Sequence, residues 1–256
     1  MRGHESISAA ILAAKARGEP ALVGYLTAGF PSRDSFKEHV QAIAAGADVV
    51  EIGVPFTDPM ADGVTIQRAS HAALAQGVSL RWILAQLETL PRVEAPLLLM
   101  SYLNPLLALG LETLAASAAR AGVAGFIVPD LPFDESAELR AALETQGLGL
   151  VQMVTPVTAP RRLEQVCASS QGFVYAVTMT GTTGKNVVVP PEVTRYLDTV
   201  RSASPVPVCA GFGIRSREQL ELLRDHVDGV VIGSALVEVL ERGGDPARWL
   251  SDLRAR

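Results

Sequence analysis

Eight short apolar runs alternate along the chain with segments of helical periodicity, and this alternation is the strongest constraint on the fold. The runs lack regular polar alternation, which is typical of strands buried on both faces of a parallel sheet. Eight strand–helix units in 256 residues predict an α/β protein with a closed (β/α)₈ barrel, formed as one domain over residues 1–256. The predicted strands are Ala21–Leu26, Val49–Ile52, Leu97–Met100, Gly125–Val128, Leu148–Val154, Gly172–Ala176, Val206–Ala210 and Gly229–Ile232.

The segments between these runs are amphipathic and predict the outer helices of the barrel. They are Ser35–Ala45, Leu111–Ala121, Glu135–Gln146, Arg161–Ala168, Pro191–Arg201 and Arg217–Leu223. Extra helices are predicted at Ser6–Arg17 and Pro246–Arg254, and Thr65–Leu90 is long enough to form two. The alternative is an open, doubly wound sheet, but the Gly-x-Gly-x-x-Gly fingerprint of that fold is missing after the first predicted strand.

Composition narrows the classes of function. A net charge of -5 argues against a nucleic-acid or anionic-membrane surface. No apolar run approaches the roughly 20 residues of a membrane span, and the first residues lack a signal-peptide core, so we expect a cytoplasmic protein. The two cysteines, Cys167 and Cys209, have no metal-ligand spacing and are interpreted as reduced packing residues.

Two carboxyl groups lie close together in the sequence around the end of the second predicted strand. Glu51 ends an apolar run, and Asp62 follows in a loop that Pro55 and Pro59 stiffen. An unpaired acid is costly at a buried strand end, whereas two carboxyl groups in different surroundings can serve as an acid and a base. We therefore predict that Glu51 and Asp62 are catalytic. The alternatives are an internal ion pair for Glu51 and a helix N-cap for Asp62.

Other polar side chains follow the predicted strands where a barrel carries its active site. Catalytic groups of (β/α)₈ enzymes lie at the carboxyl ends of the strands. Tyr25, Tyr102, Asp130 and Tyr175 occupy such positions. A packed core does not require polar groups there, so we interpret them as site residues. For each of the three tyrosines, ordinary core packing is the alternative.

Glycine-rich turns follow the seventh and eighth predicted strands. Their relevant residues are Gly211, Gly213, Gly233 and Ser234. Glycines let backbone N–H groups approach an anion, and a helix that begins at Ser234 would add its positive end. A barrel commonly binds phosphate at these two turns, so we predict a phosphate site; ordinary tight turns are the alternative. The loop 178–186, which includes Gly184, is expected to supply a third contact and to act as a lid.

The sequence lacks suitably placed residues for several other kinds of catalysis. None of the four histidines follows a predicted strand, so neither a metal site nor a histidine base is expected. Lys15 and Lys37 fall on predicted helices and Lys185 lies well beyond the sixth strand, which argues against a lysine imine. The remaining chemistry is carboxyl acid–base catalysis on a small phosphorylated substrate.

Four motifs are typical of one known family. The most specific is Glu51-x-Gly-Val-Pro-Phe-x-Asp-Pro-x-Ala-Asp-Gly, and the others are Leu99-Met-Ser-Tyr-Leu-Asn-Pro105, Pro129-Asp-Leu-Pro132 and Gly211-Phe-Gly-Ile214. With them the chain resembles, over essentially its whole length, the alpha subunit of tryptophan synthase. The resemblance implies a lyase that cleaves indole-3-glycerol phosphate into indole and glyceraldehyde 3-phosphate. It also implies no cofactor in this chain and a pyridoxal-phosphate beta subunit as partner in an α2β2 heterotetramer.

The resemblance also implies roles for the site residues. In a retro-aldol cleavage, Glu51 would move protons to indole C3 and from the glycerol hydroxyl, and Asp62 would stay ionised and accept the indole N–H. Tyr175 matches a substrate-site tyrosine of the family and is added to the catalytic set. Substrate-binding roles are assigned to Tyr25, Tyr102, Asp130, Thr183 and Phe212. Core packing is the alternative for Phe212, and a solvated loop hydroxyl is the alternative for Thr183.

The sequence departs from the family pattern in two loops. Val64 stands where the family usually has proline, and the lid has unusual residues at Met179 and Thr182. These departures concern loop stiffness and coupling to a partner. Two other functions stay open: a stand-alone lyase that releases free indole, and a non-catalytic subunit that activates a beta partner. A related phosphate-binding barrel isomerase is disfavoured, because it has no need of the Glu51–Asp62 pair.

Overall fold

Eight strands and twelve α-helices follow one another in the computed structural model, which describes residues 2–178, 189–211 and 213–254. The predictions for Thr183, Gly184, Phe212 and most of the lid lie outside these described residues. The strands are β1 (Ala21–Thr27), β2 (Val49–Gly53), β3 (Leu97–Met100), β4 (Val123–Ile127), β5 (Gly149–Val154), β6 (Val174–Val177), β7 (Val208–Gly211) and β8 (Gly229–Ile232).

The helices lie outside the strands, apart from the first. They are α1 (Gly3–Ala16), α2 (Phe36–Gly46), α3 (Val64–Ala75), α4 (Leu80–Glu88), α5 (Leu103–Leu109), α6 (Leu111–Arg120), α7 (Ala137–Glu144), α8 (Pro160–Ser169), α9 (Pro191–Ala203), α10 (Arg217–Leu223), α11 (Ser234–Glu241) and α12 (Pro246–Arg254). The predicted division of Thr65–Leu90 into two helices is confirmed by α3 and α4. Within the described ranges, no helix is long and apolar enough to cross a membrane.

The strands form a closed, fully parallel barrel in the order of the sequence. Each strand pairs with the next, and β1 closes the ring against β8, so that Val23 lies opposite both Val49 and Val231. The predicted (β/α)₈ barrel is confirmed, and the doubly wound alternative is wrong. Strands that are apolar on both faces need helices outside and a packed interior, and the pairing of β1 with β8 closes the sheet around that interior.

The amino-terminal end of the barrel is plugged, which leaves the carboxyl end for a ligand. Ile7 and Ile11 of α1 are fully buried and pack in one cluster with Leu98, Val151 and other inward-facing strand residues. Burying two isoleucines stabilises this arrangement by about 3–6 kcal/mol on transfer arguments. Helix α1 thus closes the amino-terminal end of the barrel.

Two aspartates whose side chains are each 9% exposed stabilise the same end of the barrel. The Asp48 carboxylate accepts a hydrogen bond from the Leu22 N–H at 2.8 Å and pairs with Arg17 and Arg254. In the same way, the Asp228 carboxylate accepts from the Val208 N–H at 2.8 Å and pairs with Lys15. These partners offset the cost of burying both charges and hold α1 and α12 against the strands.

Helix α5 is not predicted by the sequence pattern. It has seven residues and contains Pro105, which reads as a helix breaker. Pro105 is the third residue of α5, in the first turn, where the missing N–H leaves no intrahelical hydrogen bond unmade. Strand β4 begins at Val123 rather than Gly125, because Val123 and Ala124 are also buried against the barrel core.

Candidate active site

A cavity of about 270 Å³ opens at the carboxyl end of the barrel. Its polar lining consists of Tyr25, Glu51, Asp62, Tyr175 and Ser234, together with Gly63, Gly211, Gly213 and Gly233. Its apolar wall includes Ile66, Met100, Ile127, Met153, Val177 and Val231. The fold therefore brings both predicted catalytic carboxyl groups into one mostly apolar chamber.

Glu51 sits in the barrel wall and is held in its neutral form. It lies in β2 between Tyr25 of β1 and Leu98 of β3, and it is only 3% exposed. Its Oε2 is buried with no hydrogen-bond partner, and Glu51 forms no ion pair among the residues that the structure describes. Burial, assisted by the negative charge of Asp62, raises the pKa of Glu51 to about 8. Glu51 is accordingly a proton donor at neutral pH, and the ion-pair alternative is wrong.

The buried carboxyl group of Glu51, which is predicted to be catalytic, is expected to lower the stability of the folded protein as the pH rises. Because the folded-state pKa of Glu51 is raised to about 8 from 4.5, its stabilising contribution is complete below pH 4.5 and disappears as the pH rises through 8. We expect Glu51→Gln to become progressively more stable than the wild type across this range, by at most about 1.4 kcal/mol per pH unit. Urea unfolding at pH 5 and pH 8 measures this difference, and a constant difference would contradict it.

Asp62 occupies a more polar position at the rim of the same cavity. It lies half-buried in the loop between β2 and α3, and its Oδ2 accepts a hydrogen bond from the Tyr102 hydroxyl at 3.1 Å. Burial raises its pKa to about 6, and the Tyr102 hydrogen bond opposes that rise. Gly63, not Asp62, is the N-cap residue of α3, so the capping alternative is wrong. Between about pH 6 and pH 8, Asp62 is charged while Glu51 is neutral.

Tyr25 and Tyr175 line the cavity together with Glu51 and Asp62. Burial is the main cause that raises the pKa of both hydroxyls, and the charge of Asp62 or Glu51 adds to it, so both stay protonated hydrogen-bond donors. Each ring lies over a glycine of the next strand. A Cβ at Gly53 would collide with the Tyr25 hydroxyl, and one at Gly211 would lie 2.6 Å from the Tyr175 ring.

The position of Tyr175 changes the interpretation of Gly211. The sequence assigns this glycine to phosphate binding, but its lack of a side chain makes room for the Tyr175 ring. Its carbonyl oxygen accepts hydrogen bonds from the Thr178 hydroxyl at 2.8 Å and from the Thr178 N–H at 3.3 Å. Gly211 therefore shapes the wall and ties β7 to the end of β6.

The other glycines of the predicted phosphate turns also line the cavity. Gly213 has a left-handed backbone with φ of 70°, and Gly233 is the N-cap residue of α11, whose first residue is Ser234. The first N–H groups of an α-helix have no partner within the helix, and its dipole favours an anion there. The geometry supports a phosphate at this edge of the cavity.

Tyr102 and Asp130 are not part of the cavity lining. Tyr102 is 2% exposed and contacts the Asp62 loop through its hydroxyl. The exposed Asp130 carboxylate accepts two hydrogen bonds from the Leu103 N–H, at 2.9 and 3.2 Å, and so caps the start of α5. Substrate contact by either side chain stays a prediction, and a position after a strand does not by itself determine where a side chain points.

The sequence reasoning missed most of the apolar wall. Met100, Ile127 and Val177 are the last residues of β3, β4 and β6, and each one lines the cavity. The last residue of a predicted strand is a signal that finds Met100, whereas Ile127 and Val177 each lie one residue away from the predicted strand ends at Val128 and Ala176. The chamber they form suits a flat apolar ring.

A parallel barrel that holds a neutral and a charged carboxyl group in one apolar chamber is the design of an acid–base enzyme acting on a small molecule. Comparisons with known proteins identify the family. The family model described as tryptophan synthase alpha chain matches residues 11–253. The chain belongs to the tryptophan synthase alpha chain family, and its role is the lyase activity of that family in tryptophan biosynthesis.

Individual relatives agree with this assignment. The chain is 46% identical over 239 residues to the tryptophan synthase alpha chain of Nitratidesulfovibrio vulgaris (strain DP4), covering 93% of both chains. It is 46% identical over 246 residues to that of Solidesulfovibrio magneticus, covering 95% of this chain and 96% of the relative. Tryptophan synthase of Mycobacterium tuberculosis contains a chain of similar structure, with a TM-score of 0.88 at 34% identity and coverage of 98% of both chains.

Proposed function

We propose that the cavity performs the retro-aldol cleavage of indole-3-glycerol phosphate. Glu51 is the proton-transfer group, and Asp62 is the negatively charged group that stabilises the indole nitrogen. The observation that carries this proposal is the difference in acidity of the two carboxyl groups. A pKa of about 8 for Glu51 and about 6 for Asp62 gives one neutral and one charged group at neutral pH. A reaction that needs both a proton donor and a fixed negative charge matches this pair.

The proton movements follow from these charge states. Neutral Glu51 donates its proton to indole C3, and the positive charge that develops at the ring nitrogen is stabilised by the Asp62 carboxylate, which accepts the indole N–H. The Glu51 carboxylate then removes the proton of the neighbouring glycerol hydroxyl. The bond between C3 and the glycerol carbon breaks, its electron pair returns to the indole ring, and the hydroxyl carbon becomes the aldehyde of glyceraldehyde 3-phosphate. Glu51 ends protonated, ready for another turnover.

The pH dependence of cleavage tests this proposal. The kcat should rise as Asp62 ionises near pH 6 and fall as Glu51 loses its proton near pH 8, which gives a bell-shaped profile. The assay uses the purified chain with indole-3-glycerol phosphate, and indole is the measured product. A kcat that is still rising at pH 9 would remove the neutral Glu51 from the mechanism.

Phosphate binding should depend on the backbone at Gly213. A residue with a Cβ is strained at φ of 70°, so Gly213→Ala is expected to move the turn and to weaken binding of glycerol phosphate about tenfold. Gly243 is a matched control, because it has φ of 67° and, like Gly213, open space where a Cβ would lie. Calorimetric titration should show weakened binding for Gly213→Ala alone. Equal affinity in the two variants would place the phosphate elsewhere.

We also propose that a tryptophan synthase beta subunit, which carries the pyridoxal phosphate, docks over the carboxyl end of the barrel in an α2β2 heterotetramer. Four of the six large exposed apolar side chains in the described ranges lie at this end: Met60, Val64, Leu107 and Val157, which are 50% to 86% exposed. Exposed apolar side chains gathered on one face are typical of a protein interface. Indole released from the cavity would leave through this face.

A cytoplasmic location of the protein stays a prediction.

The loop that carries Asp62 would connect the partner to the chemistry. Met60 precedes Asp62 by two residues and Val64 follows it by two, so a partner that covers both would fix the Asp62 backbone. A partner can favour this conformation only if it binds it more tightly than the alternatives. We expect the isolated chain to be a poor lyase that titration with a beta subunit activates. A high rate that no beta subunit changes would favour the stand-alone lyase.

A further inference from the structure

The Tyr102 hydroxyl is part of a hydrogen-bonded arrangement that the proposed mechanism does not use. It accepts a hydrogen bond from the Ala61 N–H at 2.8 Å and lies 3.1 Å from Asp62 Oδ2. Because the Ala61 N–H can only donate, the hydroxyl proton of Tyr102 is free to point at Asp62. One hydroxyl group thus contacts the backbone and the side chain of two successive residues in the loop.

The Tyr102 ring is itself fixed by the same loop. It stacks on Phe56 with a centroid separation of 4.9 Å and an interplanar angle of 21°. Phe56 is held in turn by Ser70 of α3, whose hydroxyl accepts from the Phe56 N–H at 2.8 Å and donates to the Phe56 carbonyl at 3.0 Å. Tyr102 therefore has little freedom to rotate away from Asp62.

A second side chain of α3 also holds the loop. The Gln67 amide donates a hydrogen bond to the Asp62 carbonyl oxygen at 2.8 Å. The backbone of Asp62 is therefore anchored by Gln67, while Tyr102 is the described side chain that directs its carboxylate. Loss of the Tyr102 hydroxyl would leave the Gln67 anchor in place, and it would remove the acceptor of the Ala61 N–H together with the donor to the Asp62 carboxylate.

We propose that Tyr102 is a positioning residue that aims the Asp62 carboxylate into the cavity and keeps it ionised during catalysis. This role rests on the proposed function of Asp62. It differs from substrate contact, because Tyr102 lies outside the cavity lining and acts through Asp62. A hydrogen bond donated to a carboxylate favours its charged form, and here it opposes the effect of burial.

The titratable groups around Asp62 determine how the test must be designed. Glu51 of β2, Tyr25 of β1 and Tyr175 of β6 share the cavity with it, and Tyr102 reaches it from beyond β3. The hydroxyls of Tyr25 and Tyr175 stay protonated over the working pH range because burial raises their pKa values. Among the described residues that line the cavity with Asp62, Glu51 is the group that titrates near the same range, and it controls the alkaline limb of the profile.

The test is the variant Tyr102→Phe, which keeps the stacked ring and removes the hydroxyl. We expect the acid limb of the kcat profile to move up by about one pH unit, which lowers kcat about fivefold at pH 6 and about twofold at pH 7. The alkaline limb should stay at the same pH as in the wild type. The KM at pH 7.5 should stay within a factor of two of the wild-type value. An unmoved acid limb would overturn the proposal.

Tyr196→Phe is the matched control. The Tyr196 hydroxyl donates to the Val154 carbonyl oxygen at 2.9 Å and is half-buried, but it lies outside the cavity lining. Its loss should lower stability without moving either limb. If both variants lose stability and neither limb moves, Tyr102 is merely structural and the proposal is wrong.

A direct titration separates this proposal from the proposed function. Carbon-13 NMR of the aspartate carboxyl groups, with Asp62→Asn used to assign the signal, gives the pKa of Asp62 without any substrate. A rise of about one pH unit in Tyr102→Phe supports the positioning role even if the chain fails to cleave indole-3-glycerol phosphate. An unchanged pKa overturns it. If Tyr102→Phe does not fold, Ser70→Ala should raise the same pKa, and Ser70→Thr should restore it; no rise in Ser70→Ala then counts against the proposal.

Discussion

Glu51→Gln should lower kcat for cleavage of indole-3-glycerol phosphate by about 10² to 10⁴, the usual contribution of a positioned acid–base group. The glutamine amide matches the shape of a neutral carboxyl group but has no proton to give to indole C3. The cavity should keep its volume, because Glu51 forms no ion pair among the described residues that the change could break. Substrate affinity should therefore change little. Single-turnover measurement of indole formation gives the chemical rate directly.

A surface carboxylate provides the control for this change. Glu88 is exposed and accepts a hydrogen bond from Arg120 at 2.9 Å, far from the cavity lining. Glu88→Gln should leave kcat unchanged. If Glu51→Gln turned over at a rate near that of Glu88→Gln, Glu51 could not be the proton-transfer group. The expected gain in stability of Glu51→Gln at pH 8 accompanies its loss of activity, and both follow from one buried carboxyl group.

Asp62→Asn should lower kcat by about 10² to 10³, comparable with the loss of one preorganised electrostatic contact in other enzymes. The neutral amide can still accept the indole N–H, but it cannot offset the positive charge that develops at the ring nitrogen. The Tyr102 hydroxyl can still donate to the amide oxygen, so the loop should stay in place. The loss should thus appear in kcat more than in KM, and steady-state kinetics separates the two.

An aspartate at the opposite end of the barrel serves as the comparison. Asp225 is exposed between α10 and β8, and Asp225→Asn should retain full activity. The profile of Asp62→Asn should also lack its acid limb near pH 6, since the group that titrates there is gone. A remaining acid limb would mean that another group carries the charge, and the role of Asp62 would have to be assigned again.

The barrel could be predicted from the sequence because its strands have a composition found in few other places. Val49–Ile52 and Gly229–Ile232 have no polar alternation, and such runs fit only a sheet covered on both faces. The predicted strand boundaries differ from the observed ones where a turn contributes apolar residues. Val206 extends the predicted seventh strand, yet its N–H bonds the Ser204 hydroxyl in a turn and β7 begins at Val208.

The site could be predicted only in part, because sequence position fixes the end of a strand but not the path of the loop after it. Glu51 is in a strand, and the register of β2 alone turns its side chain into the barrel. Tyr102 and Asp62 are in loops, and their contact depends on how two loops fold over each other. The roles of Ser70 and Gln67 had no sequence signal, since hydroxyl and amide side chains on helices are common on protein surfaces.

The two glycines beneath Tyr25 and Tyr175 link residues that are distant in the sequence. Each tyrosine is recessed into the wall because Gly53 or Gly211 leaves a notch in the neighbouring strand. A larger residue at either glycine would push the ring inward and narrow the chamber. Positions 25 and 53, like positions 175 and 211, should therefore covary among homologous chains. Widening the chamber for a substituted indole would then require a smaller side chain at 25 or 175, since the glycines have no atoms left to remove.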